Sequence, residues 1–520
     1  MNHSAPKAHD RLSRARIEQQ FRTNSGLIIA TRLVTASLSL VVIPVLVSRL
    51  GVAGYGTWEA LLALASLSSI FQFAISGTLV WRMSDAYGQG DVAEIRRAAR
   101  LGAAAYLGLF LVLWPFAFLL REPAVVFLKV APESRGIASA MFPALAAFVL
   151  LGGFSETLEA VVSGCQRTGL VNVVSAAAQI LNYVVVIIVV VLGGGLWSLL
   201  AGQAVGFVAR LAGASIAARV SFGAVSLVPL LPHKHDWALF RYSGWLTVSG
   251  VALSLRDQTD KIVLSSLASP AWVGYYGMAA RLSGLVLEVL RPLYSPMLTA
   301  AGALWAMNDR EGVRSLYSRG MLIVSILTGT VAVVVAGLVD RLVVLWIGEA
   351  ISQVRVLLWL LITGTATAAI LTGTGTAISR GCGQASIEAT YLGVNLVLNL
   401  IFTIVLVLLI GPVGTAAATG LTWALSSILF LFVLHRKMEL PVEASRQAAA
   451  AAVLAGVTAG FVYWISSRLG VPSGRQQAVI SLLLLGTGSV LLYLGLLVSL
   501  RLVSVRRVYG GFRTLLSGTS

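Results

Sequence analysis

Fourteen apolar segments of 20–27 residues follow one another along this chain with short polar breaks, and that spacing decides the fold class. Each segment is long enough to carry a helix across roughly 30 Å of hydrocarbon. Lipid leaves a spanning backbone two ways to satisfy its polar groups, the helix and the closed barrel. A barrel would show ~10-residue stretches of alternating polarity, and none occur. The spans read at 26–49, 59–81, 101–120, 137–163, 172–193, 196–218, 242–267, 277–298, 318–339, 354–379, 387–410, 413–434, 447–467 and 477–500. Composition agrees: 57% hydrophobic and 11% charged residues leave too little polar surface for a water-soluble fold. The expectation is an all-α polytopic membrane protein with about 14 transmembrane helices.

The formal net charge of +17 does not imply nucleic acid, because the basic residues are spread over alternate loops rather than gathered on one polar domain. With the N-terminus inside, cytoplasmic segments hold about 23 Lys and Arg and the opposite side about 6. Both termini are therefore expected in the cytoplasm. The polar first 25 residues include Lys7, Arg11, Arg14, Arg16 and Arg22. The apolar run after them is too long for a signal-peptide core, so it is expected to remain as the first span, and Arg11 to Phe21 is expected to form a short interfacial helix. Two cysteines, Cys165 and Cys382, imply no disulfide framework.

An internal repeat organises the spans. Ser25-Gly26 recurs as Ser243-Gly244 and Gly54-Tyr55 as Gly274-Tyr275; Asp91 with Arg97 and Arg100 recurs as Asp309 with Arg314 and Arg319. Gly164-Cys165, then Asn182 and Gly194, recurs as Gly381-Cys382, then Asn399 and Gly411. Six spans per copy is an even number, so the repeats run parallel, about an axis along the membrane normal, with a central cavity expected between them. The organisation reads as a cytoplasmic N-terminal segment at 1–25, an N-terminal six-helix lobe at 26–218 and a cytoplasmic linker at 219–241. A C-terminal six-helix lobe at 242–434, an additional two-helix unit at 447–500 and a cytoplasmic tail at 501–520 complete it. In the linker, Pro229 and Pro232 break regular structure and Asp236 is placed to cap a helix.

Catalytic signatures are missing: there is no phosphate-binding Gly-rich loop, no His-Glu-x-x-His and no Cys-x-x-Cys. His233 and His235 alone make a poor metal site. No catalytic residue, metal or cofactor is expected. The informative residues are charges inside spans, where burial costs several kcal/mol at least and marks a polar cavity or a partner. Span one has Arg32, and span four has Glu156 and Glu159. Span seven reads Arg256-Asp257-Gln258-Thr259-Asp260-Lys261, and span eight holds Arg281, Glu288 and Arg291. Arg256 with Asp260, and Asp257 with Lys261, share helix faces and are expected to pair; Arg32 with Glu156 is a further expected pair. Five cations against three acids in spans one, seven and eight leave net positive charge, suited to an anionic headgroup such as a phosphate through arginine's bidentate donors. Asp257, Asp260 and Glu288 are the candidates for exchanging a proton or cation.

The stretch Val47-Ser48-Arg49-Leu50-Gly51-Val52-Ala53-Gly54-Tyr55-Gly56 after a polar-started first span, Asp257 to Tyr276, and Leu345-Trp346-Ile347-Gly348 resemble bacterial polysaccharide and O-antigen flippases. These belong to the multidrug/oligosaccharidyl-lipid/polysaccharide exporter superfamily. The resemblance covers most of the first 435 residues and implies alternating-access transport of a polyprenyl-diphosphate-linked glycan across the bacterial cytoplasmic membrane. By that resemblance Arg32, Arg256, Arg281 and Arg291 hold the diphosphate. The implied partners are membrane lipids and the glycan polymerase and glycosyltransferases of the pathway. A cation-coupled drug exporter of the same superfamily would need a carboxylate-rich cavity, and a membrane-embedded glycan polymerase or ligase a large outer loop.

Overall fold

The computed structural model describes residues 8–230 and 244–500 together with Leu502. The loop histidines, the cap assigned to Asp236 and nearly all of the tail lie outside the described residues. Within them the chain forms helices and no strand, as the apolar pattern requires, in two compact units, Met1–Val251 and Ala252–Ser520.

The first unit contains α1 (Ala8–Ser66), a 3-10 turn (Leu67–Ser69), α2 (Ile70–Gln89), α3 (Val92–Leu119), α4 (Arg121–Phe127), α5 (Pro132–Gly164), α6 (Thr168–Val191) and α7 (Trp197–Ser221). Helix α1 covers the first span and part of the second, and breaks at Gly51, whose φ of 70° only glycine adopts freely. Arg11 to Phe21 form no separate interfacial helix; they continue α1 without a break. The second unit takes in α8 (Gly244–Leu267) from Ala252 onward, and contains α9 (Pro270–Ala306), α10 (Arg310–Gly337), α11 (Val339–Ile347), α12 (Ser352–Gly381), α13 (Ala385–Ile410), α14 (Val413–Met438), α15 (Val442–Arg468) and α16 (Arg475–Ser499).

Among the described residues eleven stretches are long and apolar enough to cross a membrane, and the first of them, Ala30–Gln89, is 60 residues long. At 1.5 Å per residue that is about 90 Å, too much for one crossing, and the break at Gly51 divides it. Helices α8 and α9 have the length but carry the charges noted above and are not among the eleven. The polar stretches 82–100 and 299–317 are not open loops: the helices extend through them and meet at tight turns around Gly90-Asp91 and Asn308-Asp309.

Repeated residues have the same local role in each unit. Asp91 caps α3 by accepting from the Glu94 amide at 2.9 Å, and Asp309 caps α10 by accepting from Gly312 at 2.8 Å. Each follows a left-handed residue, Gly90 at φ 75° and Asn308 at φ 58°. The repeated Gly164 and Gly381 end the central helices α5 and α12 where these cross α2 and α9. A Cβ would stand 2.8 Å from the Met83 Cβ in the first case and 2.3 Å from the Leu298 carbonyl oxygen in the second. Small residues at a crossing let membrane helices approach closely. Since the Leu298 carbonyl cannot rotate away, Gly381→Ala is expected to cost about 1–3 kcal/mol by overpacking. The measurement is the melting temperature of the detergent-purified protein; no change would mean that α12 and α9 part without cost.

The added pair α15–α16 covers α10. The most apolar window of α10 is 72% buried, whereas the corresponding window of α3 is 22% buried. Polar contacts accompany the cover: Tyr317 of α10 pairs with Ser445 of α15 at 2.7 Å, Arg341 of α11 donates to Ser466 of α15 and to the Gly470 carbonyl, and within the pair the Tyr493 hydroxyl donates to the Ala451 carbonyl at 3.3 Å.

Candidate functional site

Helix α8 carries the densest charge in the second unit, and its acids have distinct environments. Asp260 is only 2% exposed. A carboxylate so enclosed must have its lone pairs engaged, and hydroxyls from three other helices do this. Tyr276 of α9 and Thr419 of α14 donate to Oδ2 at 2.7 Å each, and Thr403 of α13 donates to Oδ1 at 3.1 Å. Behind them the Asn399 amide donates to the Thr419 hydroxyl at 3.3 Å. Four helices thus converge on one acid.

The expected pairing of Arg256 with Asp260 does not form. Arg256 donates instead to its neighbour Asp257, from Nη2 at 2.5 Å and from Nε at 3.1 Å. The reason is Trp423, whose ring lies 4.2 Å beneath the guanidinium carbon; stacking on that face turns the guanidinium edge toward Asp257 and leaves Asp260 to the hydroxyls. On α9, Arg291 pairs with Glu288 one turn away at 2.8 Å. Arg281 is exposed and makes no ion pair among the described residues.

In the first unit Arg32 is likewise exposed and without an ion pair among the described residues. Its expected partner Glu156 is taken by the Tyr106 hydroxyl, which donates to it at 2.9 Å. The other acid of α5, Glu159, receives two 2.8 Å bonds from Arg210 of α7. Beside these groups is a cavity of about 420 Å³, lined among others by Glu156, Gln179, Asn182, Gln203 and Arg210.

Of the seven charges given a binding or coupling role from the sequence, the structure joins Arg256 to Asp257 and Glu288 to Arg291, sets Asp260 in its own enclosure, and leaves Arg32 and Arg281 without acids among the described residues. Sequence reading missed Arg210, though two acids in one span called for a nearby cation and Arg210 lies within an apolar one. It also missed Tyr276, Thr403, Thr419 and Trp423, for which no signal existed, because hydroxyl and aromatic residues are scattered throughout these helices.

Comparison with solved structures shows the fold. A lipid II flippase in an inward closed conformation matches with a TM-score of 0.65 at 14% identity, covering 90% of this chain and 98% of that one. An inward-facing multidrug resistance transporter of the MOP superfamily matches with a TM-score of 0.61 at 14% identity, over 79% of this chain and 98% of its own. The fold is shared with these two transporters. The polysaccharide biosynthesis protein family matches residues 21–301, more than half of the chain, and the chain belongs to it. A probable low-salt glycan biosynthesis flippase of Haloferax volcanii is 22% identical over 234 residues, 44% of this chain and 49% of that protein. The chain therefore spans about half the length of the curated relative it matches.

Proposed function

We propose that the protein moves a polyprenyl-diphosphate-linked oligosaccharide from the cytoplasmic to the outer leaflet of the bacterial cytoplasmic membrane, by alternating access and without enzymatic chemistry. Family membership supports the pathway. The observation that carries the substrate class is the pair Arg32 and Arg281, exposed arginines on membrane-spanning helices with no acid among the described residues to neutralise them. Such guanidinium groups suit a diphosphate, which takes them bidentately. Arg256 and Arg291 join when they exchange Asp257 and Glu288 for phosphate oxygens. Asp260 is the leading candidate for ion coupling, with Asp257 and Glu288 behind it. In this reading 26–218 and 242–434 are the working lobes, both termini are cytoplasmic, and the enzymes that build and polymerise the glycan act before and after transport. A drug exporter is the weaker reading, because the free charges are basic.

The test is complementation. In a strain lacking the gene, Arg32→Ala and Arg281→Ala are each expected to cut surface polysaccharide about tenfold at unchanged protein level, the loss of one charge-assisted contact of about 1.5 kcal/mol. Normal export by both variants removes the proposed diphosphate role.

A further inference from the structure

Three carboxamides of the first unit, the buried Asn182 and the half-buried Gln179 and Gln203, make no hydrogen bond to another described side chain or backbone group. Gln179 and Asn182 on α6 and Gln203 on α7 line the 420 Å³ cavity. Asn182 is only 7% exposed. A buried polar side chain is nearly always satisfied, by protein or by what occupies the space beside it. Two glycines hold Asn182 in place: a Cβ at Gly202 would come within 2.8 Å of its side-chain oxygen, and one at Gly206 within 3.1 Å of its Cβ.

The repeat explains the room. Asn182 corresponds to Asn399, whose amide donates into the network around Asp260. At the same offset Thr419 becomes Gly202, Thr403 becomes Val186, and Asp260 falls at the apolar pair Val42-Ile43. The first unit lacks the acid and both threonines, keeps the asparagine, and adds Gln179 and Gln203 where the second unit has Leu396 and Gly420. One copy of the repeat encloses a carboxylate; the other opens an amide-lined cavity.

The lining selects the ligand. A carboxamide presents a donor and an acceptor side by side, matching the adjacent hydroxyls of a sugar ring. Glu156 and Arg210 are already engaged by Tyr106 and Glu159, and the rings of Phe148 and Phe207, 5.7 Å apart, offer apolar surface to the sugar's C–H faces. The volume falls within the ~300–1,000 Å³ of small-molecule sites and exceeds what one bare cation fills. Among the described residues no cluster of His, Cys, Asp and Glu suited to a metal occurs.

The geometry points to a sugar subsite: Gln179, Asn182 and Gln203 hydrogen-bond one sugar unit of the transported glycan, so that this cavity sets which glycan is carried. The assignment rests on reading the protein as a carrier of lipid-linked glycan. Full-length protein in lipid nanodiscs is titrated with the free oligosaccharide released by mild acid from the organism's own lipid-linked intermediate, and separately with a sugar-free polyprenyl diphosphate. Gln179→Leu combined with Gln203→Leu is expected to weaken oligosaccharide binding at least about tenfold, the loss of one to two hydrogen bonds, while polyprenyl diphosphate binding and melting temperature stay the same. The single variants Gln179→Ala and Gln203→Ala give the same reading should the double variant not accumulate. Equal oligosaccharide affinity in wild type and variants, or none in the wild type, overturns the subsite. Transport into proteoliposomes separates the two ideas: glutamine-dependent sugar binding without movement of lipid-linked glycan overturns the transport reading alone, and normal transport with sugar binding indifferent to the glutamines overturns the subsite alone.

Discussion

Arg210→Ala is expected to destabilise the protein by roughly 3 kcal/mol, the low end of the cost of breaking a buried ion pair. Arg210 gives both of its 2.8 Å bonds to Glu159, a side chain only 11% exposed. Without it, a carboxylate within a membrane-spanning helix has lost its counter-charge, with a second acid, Glu156, one turn away on the same helix. The low end applies because the Arg210 side chain is 36% exposed, so water moderates the interaction. Combining Arg210→Gln with Glu159→Gln replaces the pair by neutral amides and is expected to restore most of the loss. Thermal melting in detergent measures both; a single variant as stable as the wild type would mean that Glu159 needs no counter-charge.

The second large effect is on coupling. Asp260→Asn keeps the shape of the side chain but removes its charge and sets a donor against hydroxyls that were themselves donating. On the proposed function, transport of lipid-linked glycan by this variant is expected to lose its response to an imposed proton or sodium gradient by about 100-fold, within the range of free energies that couple two sites. The change keeps most of the packing among Tyr276, Thr403 and Thr419, so the variant is expected to fold. Asp260→Ala goes further: it strips the acceptor from three buried hydroxyls and is expected to cost about 2–3 kcal/mol of stability as well. Proteoliposomes with and without a gradient provide the measurement, and an unaltered gradient response in Asp260→Asn would remove the residue from coupling.

How much of this was legible in the sequence follows from the physics of each feature. Span positions were, because hydrocarbon thickness imposes a length that apolar runs display directly. The equivalence of Asp91 with Asp309 and of Gly164 with Gly381 was as well, since a helix cap and a close helix crossing each restrict the residue types allowed. Partners were not. Arg256 and Asp260 are one turn apart, and helical spacing alone favours their pairing; the Trp423 ring, far along the chain, redirects the arginine. Glu156 was assigned to Arg32 on charge alone, and a tyrosine hydroxyl from α3 took it.

By itself, then, the sequence determined an all-helical membrane protein of many spans, and named the segments that hold charge, because these depend on local length, polarity and spacing. Only the tertiary structure decided which charges are matched. It set Asp260 among hydroxyls from three other helices, left Arg32 and Arg281 without acids among the described residues, and gave the two copies of one asparagine different surroundings. Those outcomes depend on which helices lie side by side, and side-chain contacts across helices are fixed by packing over the whole bundle rather than by any local pattern.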